Sequence, residues 1–115
     1  MRVKQKITVR VGGVDVNGTS TATDFISDAI RVDSKDWSLN SWFDAVVTGS
    51  PTFTVRGSNV TDADSFNPLG CVTDKAAPDM IGYLAAEYKY IQIEYNANGA
   101  TGGNKNFDLI LGDAL

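Results

Sequence analysis

The stretch that most constrains this chain runs from Trp37 to Ser58, where apolar and polar residues alternate on both sides of Gly49-Ser50-Pro51. Successive side chains of a strand point to opposite faces, so a period of two gives each strand one buried and one solvated side. Phe43, Ala45 and Val47 share a face, and Phe53 and Val55 continue it beyond the turn. Trp42, Asp44, Val46, Thr48, Thr52, Thr54 and Arg56 share the other. This pattern predicts two partner strands of a β-sandwich or barrel rather than an α/β enzyme. It also sets Trp42 on the side that should be wet, as a contact residue would be.

The same period recurs along the chain. Val3, Gln5, Ile7, Val9 and Val11 alternate with Arg2, Lys4, Lys6, Thr8 and Arg10, and Gly12-Gly13 ends the run. Val14 to Val16 precedes Asn17-Gly18, a strong hairpin signal. Thr19 to Phe25 and Ile30 to Val32 favour extended backbone. Ser58 to Asn67 reads as a long polar turn tied back by Phe66 and Leu69. Pro78 argues against a central strand between Cys71 and Met80. Ile81 to Glu87 reads equally as a strand end or a helical turn. Tyr88 to Tyr95 is the strongest late strand, with Ile91, Ile93 and Tyr95 inward and Tyr88, Tyr90, Gln92 and Glu94 outward. Asn96 to Asn104 reads as a Gly/Asn-rich hairpin loop, and Asn106 to Gly112 closes a sheet with Phe107, Leu109 and Leu111 inward. No helical period lasts three turns. About eight short strands predict an all-β, antiparallel, jelly-roll-like β-sandwich. A chain of 115 residues is one domain, 1–115, with 1–24 as an N-terminal arm or edge strand.

Charge narrows the partners. The net charge is −4, against nucleic-acid binding. Four cations, Arg2, Lys4, Lys6 and Arg10, stand in the first ten residues without an acid, while the rest sets six cations against fourteen acids, a net −8. A basic first strand on an acidic body is dipolar and suits an acidic neighbour. The same cations also serve as the solvated side of an edge strand. No apolar run approaches the roughly 20 residues of a membrane span. The first residues lack the apolar core of a signal peptide, so use without secretion is expected, and Asn17-Gly18-Thr19 and Asn59-Val60-Thr61 read as chance glycosylation sequons in turns.

The residues offer little for catalysis. The absence of histidine removes the commonest general base and metal ligand. Cys71, the single cysteine, forms no internal disulfide and reads as a small buried hydrophobe. Asp62 and Asp64, with Asn59, have the oxygen chemistry of a calcium site, but they lack the EF-hand spacing, and Asp/Asn-rich turns need no metal. Asp108 with Glu94 or Asp44 is a candidate glycosidase pair, weighed against ordinary solvated carboxylates. Gly12-Gly13 and Gly102-Gly103 precede no helix with a lysine, so they are not phosphate loops. The reading is a non-enzyme with no metal and no cofactor. The candidate contact residues are Arg2, Lys4, Lys6, Arg10, Trp37, Trp42, Val46, Tyr88 and Tyr90. Their aromatics suit protein interfaces and stack equally well on sugars.

The motif order then carries a resemblance. Val47-Thr48-Gly49-Ser50-Pro51, Val55-Arg56-Gly57-Ser58-Asn59, Phe66-Asn67-Pro68-Leu69 and Tyr88-Lys89-Tyr90-Ile91-Gln92-Ile93-Glu94-Tyr95 follow one another, with a Gly/Asn-rich loop behind them. This resembles small jelly-roll virion proteins of tailed bacteriophages, of which some are head decoration or cement proteins. The strand–turn–strand pattern is also similar to discoidin-like and carbohydrate-binding sandwiches. The resemblance spans roughly residues 25–112 and rests on turns and core positions, which speak for fold. It implies a virion location after assembly in the host cytoplasm. The partners would be the major capsid protein or other virion proteins, and further copies of the chain in a homo-oligomer. The alternative it implies is a tail or fibre-associated adsorption module binding host glycans.

Overall fold

Strand-forming residues dominate from end to end, and the computed structural model is all-β. It describes residues 4–33, 37–74, 80–85 and 88–112, with the side chains of 4, 68–74, 80–85 and 112 excepted. Twelve strands lie among them. They are β1 (Lys4–Ile7), β2 (Arg10–Val11), β3 (Val14–Asp15), β4 (Thr19–Ser20), β5 (Phe25–Ile26), β6 (Ile30–Arg31), β7 (Trp37–Phe43), β8 (Thr52–Ser58), β9 (Asn67–Asp74), β10 (Met80–Ala85), β11 (Tyr90–Asn96) and β12 (Asn104–Gly112). The count exceeds the eight expected because the first part of the chain is cut into six pieces of two to four residues.

Two five-stranded antiparallel sheets form the sandwich. The first runs β1-β12-β7-β10, with β4 also on β12; the second runs β5-β11-β8-β9, with β6 also on β11. The chain crosses between sheets at β4–β5, β6–β7, β7–β8, β9–β10, β10–β11 and β11–β12, a jelly-roll-like alternation between layers. β2 and β3 form a separate ribbon. Its turn is Gly12-Gly13, where φ values of +56° and +81° match a two-residue hairpin that only glycine adopts freely.

Four expectations change. The 96–104 segment closes no hairpin: β11 and β12 lie in opposite sheets, so it is a corner between layers. β7 and β8 do not pair with each other; they lie in opposite sheets, and Gly49-Ser50-Pro51 belongs to a corner between layers. Asn17-Gly18 joins no hairpin either. It leads from the ribbon to β4, and Asn17 Oδ1 accepts the Phe107 N–H of β12 at 2.7 Å. The stretch from Ile81 resolves as strand up to Ala85, because β10 pairs with Trp37 to Trp42 of β7; Ala86 and Glu87 lie outside the described residues. Pro68 sits in β9, a sheet edge, where a missing N–H is tolerated. Pro78 and the arm residue Arg2 lie outside the described residues, as do the side chains of Cys71 and Leu69.

The core lies between the inner faces. Leu39, Phe53, Val55, Ile91, Ile93, Tyr95 and Leu109 are fully buried. Phe43 and Phe53 stack at 5.5 Å across the layers, and Phe53 meets Phe107 edge-on at 5.3 Å. Such contacts add to the area term that dominates burial of large side chains. Phe66 is buried at 5% exposure and anchors the 58–67 turn as expected.

Candidate functional site

The alternation that fills the core also decides what the outer faces carry. On the first sheet Trp42 stands opposite Asn106, Asn40 opposite Asp108, and Ser38 opposite Ile110. β1 extends the face, with Lys6 opposite Ile110 and Lys4 opposite Gly112. Lys6 Nζ reaches Asp108 Oδ1 at 3.1 Å. The first-strand lysine is thus paired at home, in an exposed ion pair of small energetic weight. Trp42 is half-buried, and its neighbours on the β12 and β7 side of this face are amides, a hydroxyl, a carboxylate and Ile110, with Met80 of β10 in register on its other side.

The other expected contact residues are scattered. Tyr90 belongs to β11 on the outside of the second sheet, opposite Ser58 and Arg31, so it shares no face with Trp42. Tyr88, half-buried, precedes it. Trp37 is only 2% exposed and is a core residue, since it begins β7 on the same parity as Leu39 and Phe43. Arg10 lies on the ribbon, where its Nη1 donates to the Gly13 carbonyl at 3.1 Å. Val46 is 70% exposed. It sits in the 44–51 loop, which the Thr48–Thr101 bridge and an Asn98 Nδ2 to Ser50 carbonyl bond tie to the 97–103 loop. Ala45, expected inward, is exposed there because β7 stops at Phe43.

Many of the carboxylates bind the fold itself. Asp28 accepts the N–H groups of Gly12 and Gly13 at 2.8 and 2.9 Å, pinning the ribbon tip. The Gly13 and Gly12 amides hold its carboxyl below the ordinary value. Asp24 accepts the Ala97 N–H, and Asp44 accepts the Asn104 N–H, both at 2.7 Å. Glu94 pairs with Arg56 at 2.8 Å on the second sheet. Asp108 and Glu94 therefore belong to different sheets, so that glycosidase pairing has no site; Asp44, the alternative partner, is engaged in its loop. Asp62 and Asp64 flank and enter a single 3₁₀ turn, Ala63–Ser65, where the Asp62 carbonyl accepts from Ser65. Among the described residues no three His, Cys, Asp or Glu side chains cluster as a metal group would. Nor is any helix there long and apolar enough to cross a membrane.

One feature escaped the sequence reading. Lys105 is 1% exposed. Its ammonium donates to the Ser20 carbonyl and stands 4.7 Å from the Tyr95 ring centre and 5.6 Å from that of Phe25. Burial lowers its pKa to about 8, partly offset by the Asp24 carboxylate. Burial likewise raises the Tyr95 phenol to about 12, with Asp24 adding to the shift, and that hydroxyl donates to the Thr21 carbonyl at 2.6 Å. Lys105 lines a cleft of about 430 Å³, whose apolar wall is Val11, Val16 and Phe25. Thr19, Ser20, Thr23 and Asp24 form its polar side. The signal was present in the sequence: Lys105 has the parity of Phe107, Leu109 and Leu111.

No family model matches the chain, and no curated protein matches it significantly. Solved structures do share the fold. The SPBc2 prophage-derived protein YomS is similar at 11% identity with a TM-score of 0.57, over 98% of this chain and 96% of that one. A chain from the Bacillus endospore appendages, disulfide-linked pili, is similar at 12% identity and 0.55, over 100% and 89%. A non-crystalline cellulose specific carbohydrate-binding module, CBM28, is similar at 7% identity and 0.50, over 96% and 73%. At these identities the likeness is one of fold: an antiparallel β-sandwich.

Proposed function

We propose that this chain is a non-enzymatic structural protein of a bacteriophage particle, a head decoration or cement protein that bridges capsid subunits. The observation that carries the reading is the outer face of the β1-β12-β7-β10 sheet, where Trp42 and the lysine-bearing first strand lie on opposite sides of β12, on regular structure. A rigid face needs little ordering when it docks, and an aromatic anchor among polar neighbours is what protein interfaces use. The engagement of many carboxylates in turns and ion pairs fits an architectural role. Fold likeness to a prophage-derived protein over nearly its full length supports the particle context. Lys4 and Lys6 give orientation against an acidic surface, and repetition over many lattice sites, with contacts between copies of the chain, converts weak single contacts into strong retention. Purified protein mixed with capsids lacking it should bind saturably, at a fixed number of copies per capsid subunit, and raise capsid resistance to heat. Charge reversal of Lys4 and Lys6 should lower occupancy. Absence of capsid binding overturns the reading.

A second reading, a tail or fibre-associated adsorption module for host glycans, has one observation in its favour. On the β12 side of Trp42, Asn106 stands opposite it and Asn40 and Asp108 follow along the strands, groups that pair with hydroxyls beside a ring on which a sugar can stack. Trp42→Ala separates the two readings. Loss of glycan retention with normal particle occupancy favours adsorption; loss of occupancy favours the capsid role.

A further inference from the structure

The geometry points to the Lys105 cleft as a binding site for a small neutral hydroxylated ligand, a single sugar or polyol unit. The site shares no residue with the Trp42 face and does not depend on the role proposed for that face.

Size comes first. About 430 Å³ falls in the range of small-molecule pockets, roughly 300–1,000 Å³. The cleft joins an apolar wall to a polar side, as such pockets do. Its wall comes from Val11 of the β2–β3 ribbon, from Val16 just past it and from Phe25 of β5, and Asp28 fastens the ribbon's turn next to Val11.

Charge then selects the ligand class. Lys105 is a buried ammonium with three donor hydrogens, and its one hydrogen bond among the described residues is to the Ser20 carbonyl. Asp24 lines the same cleft and accepts a single backbone N–H, from Ala97, leaving lone pairs unused. A cation and an anion together give the cleft no net charge, so neither an anionic nor a cationic ligand is favoured. The missing groups are an acceptor for Lys105 and a donor for Asp24. A hydroxyl is both, and two neighbouring hydroxyls on a ring serve both partners at once. The C–H face of such a ring then covers Phe25 and the two valines.

Amide NMR of the intact chain, titrated with glucose, galactose and glycerol to about 100 mM, tests the site. Saturable shifts are expected at 19–25 and at Lys105 for at least one probe, with millimolar affinity. Asp24→Asn keeps an oxygen for the Ala97 N–H and removes the charge, and it should weaken binding about tenfold. Trp42→Ala should leave the titration unchanged. Three results overturn the site: no saturable shift at these residues, equal affinity in Asp24→Asn, or preferential binding of acetate used as a charged control. Loss of cleft binding in Trp42→Ala would mean that the sugar sits on the outer sheet instead, and also overturns it.

Discussion

The Lys105 ammonium lies 4.7 Å from the Tyr95 ring centre, inside the sandwich. The ring face offers partial compensation for lost water through its quadrupole, but burial still lowers the lysine and raises the phenol. The two shifts act on stability in opposite directions. Lys105 titrates at about 8 when folded and 10.5 when free, so between these values the unfolded chain binds more protons and stability rises with pH. Tyr95 titrates at about 12 when folded and 10.0 when free, so above pH 10 the folded chain binds more protons and stability falls. Denaturation midpoints at constant ionic strength should climb from about pH 8 to about pH 10 and then decline. Lys105→Met should flatten the climb and raise stability at neutral pH by about 1–3 kcal/mol. A slope retained in that variant overturns the assignment.

Ser41 gives a test in the core. Its side chain is fully buried, and its Oγ has no hydrogen-bond partner among the described residues. Removing an unpaired hydroxyl eliminates a desolvation cost and leaves almost no cavity. Ser41→Ala should stabilise the chain by about 1 kcal/mol in urea titrations. A loss of stability would reveal a partner for the hydroxyl.

Gly49 should be irreplaceable where Gly18 is not. Both have positive φ, +85° and +73°. A Cβ on Gly49 would meet backbone atoms of Gly99 and Ala100 at 2.8 Å, whereas one on Gly18 meets nothing within 4 Å. Gly18→Ala should cost about 1 kcal/mol, the left-handed penalty alone. Gly49→Ala should cost at least about 2 kcal/mol more, because it forces apart the loops that carry Val46. Thermal melts of the two variants compare them directly.

The ribbon depends on one carboxylate. Asp28 has a depressed pKa when folded, so its contribution is present above the free value of 3.8 and lost as pH falls through the lower folded value. Amide exchange at Gly12 and Gly13 should accelerate about tenfold in Asp28→Ala, with exchange in β11 unchanged. Equal protection in both proteins would mean that the ribbon stays docked without the carboxylate.

Period-two alternation made the inward residues legible: Phe43, Phe53, Val55, Ile91, Ile93, Tyr95, Phe107 and Leu109 all lie in the core. Pairing was not legible around the 49–51 turn, for a physical reason. Phe43 and Phe53 face inward whether their strands are neighbours in one sheet or stand across the core from each other, so alternation cannot separate a hairpin from a corner. Trp37 has the size and the strand-start position of a contact residue, although its parity puts it inside. Lys105 was hidden by the opposite error, a charged residue at the edge of a Gly/Asn-rich loop. The outer face was half legible. Alternation sets Trp42 on the solvated side, but its Asn106 and Asp108 neighbours come from a strand more than sixty residues away.

The position of β12 has a consequence for biosynthesis. It is a central strand of its sheet, pairing with β1 and β4 along one edge and with β7 along the other. On the ribosome, β1, β4 and β7 are all made before the strand that joins them. The half-sandwich must wait, its apolar side uncovered, until residues 104–112 leave the exit tunnel. Closure is then a late event that depends on distant pairing, the class of step that is slow and exposed to aggregation. A nascent chain stalled before Asn104 should be protease-sensitive along its whole length, and one stalled well beyond Gly112 should be resistant.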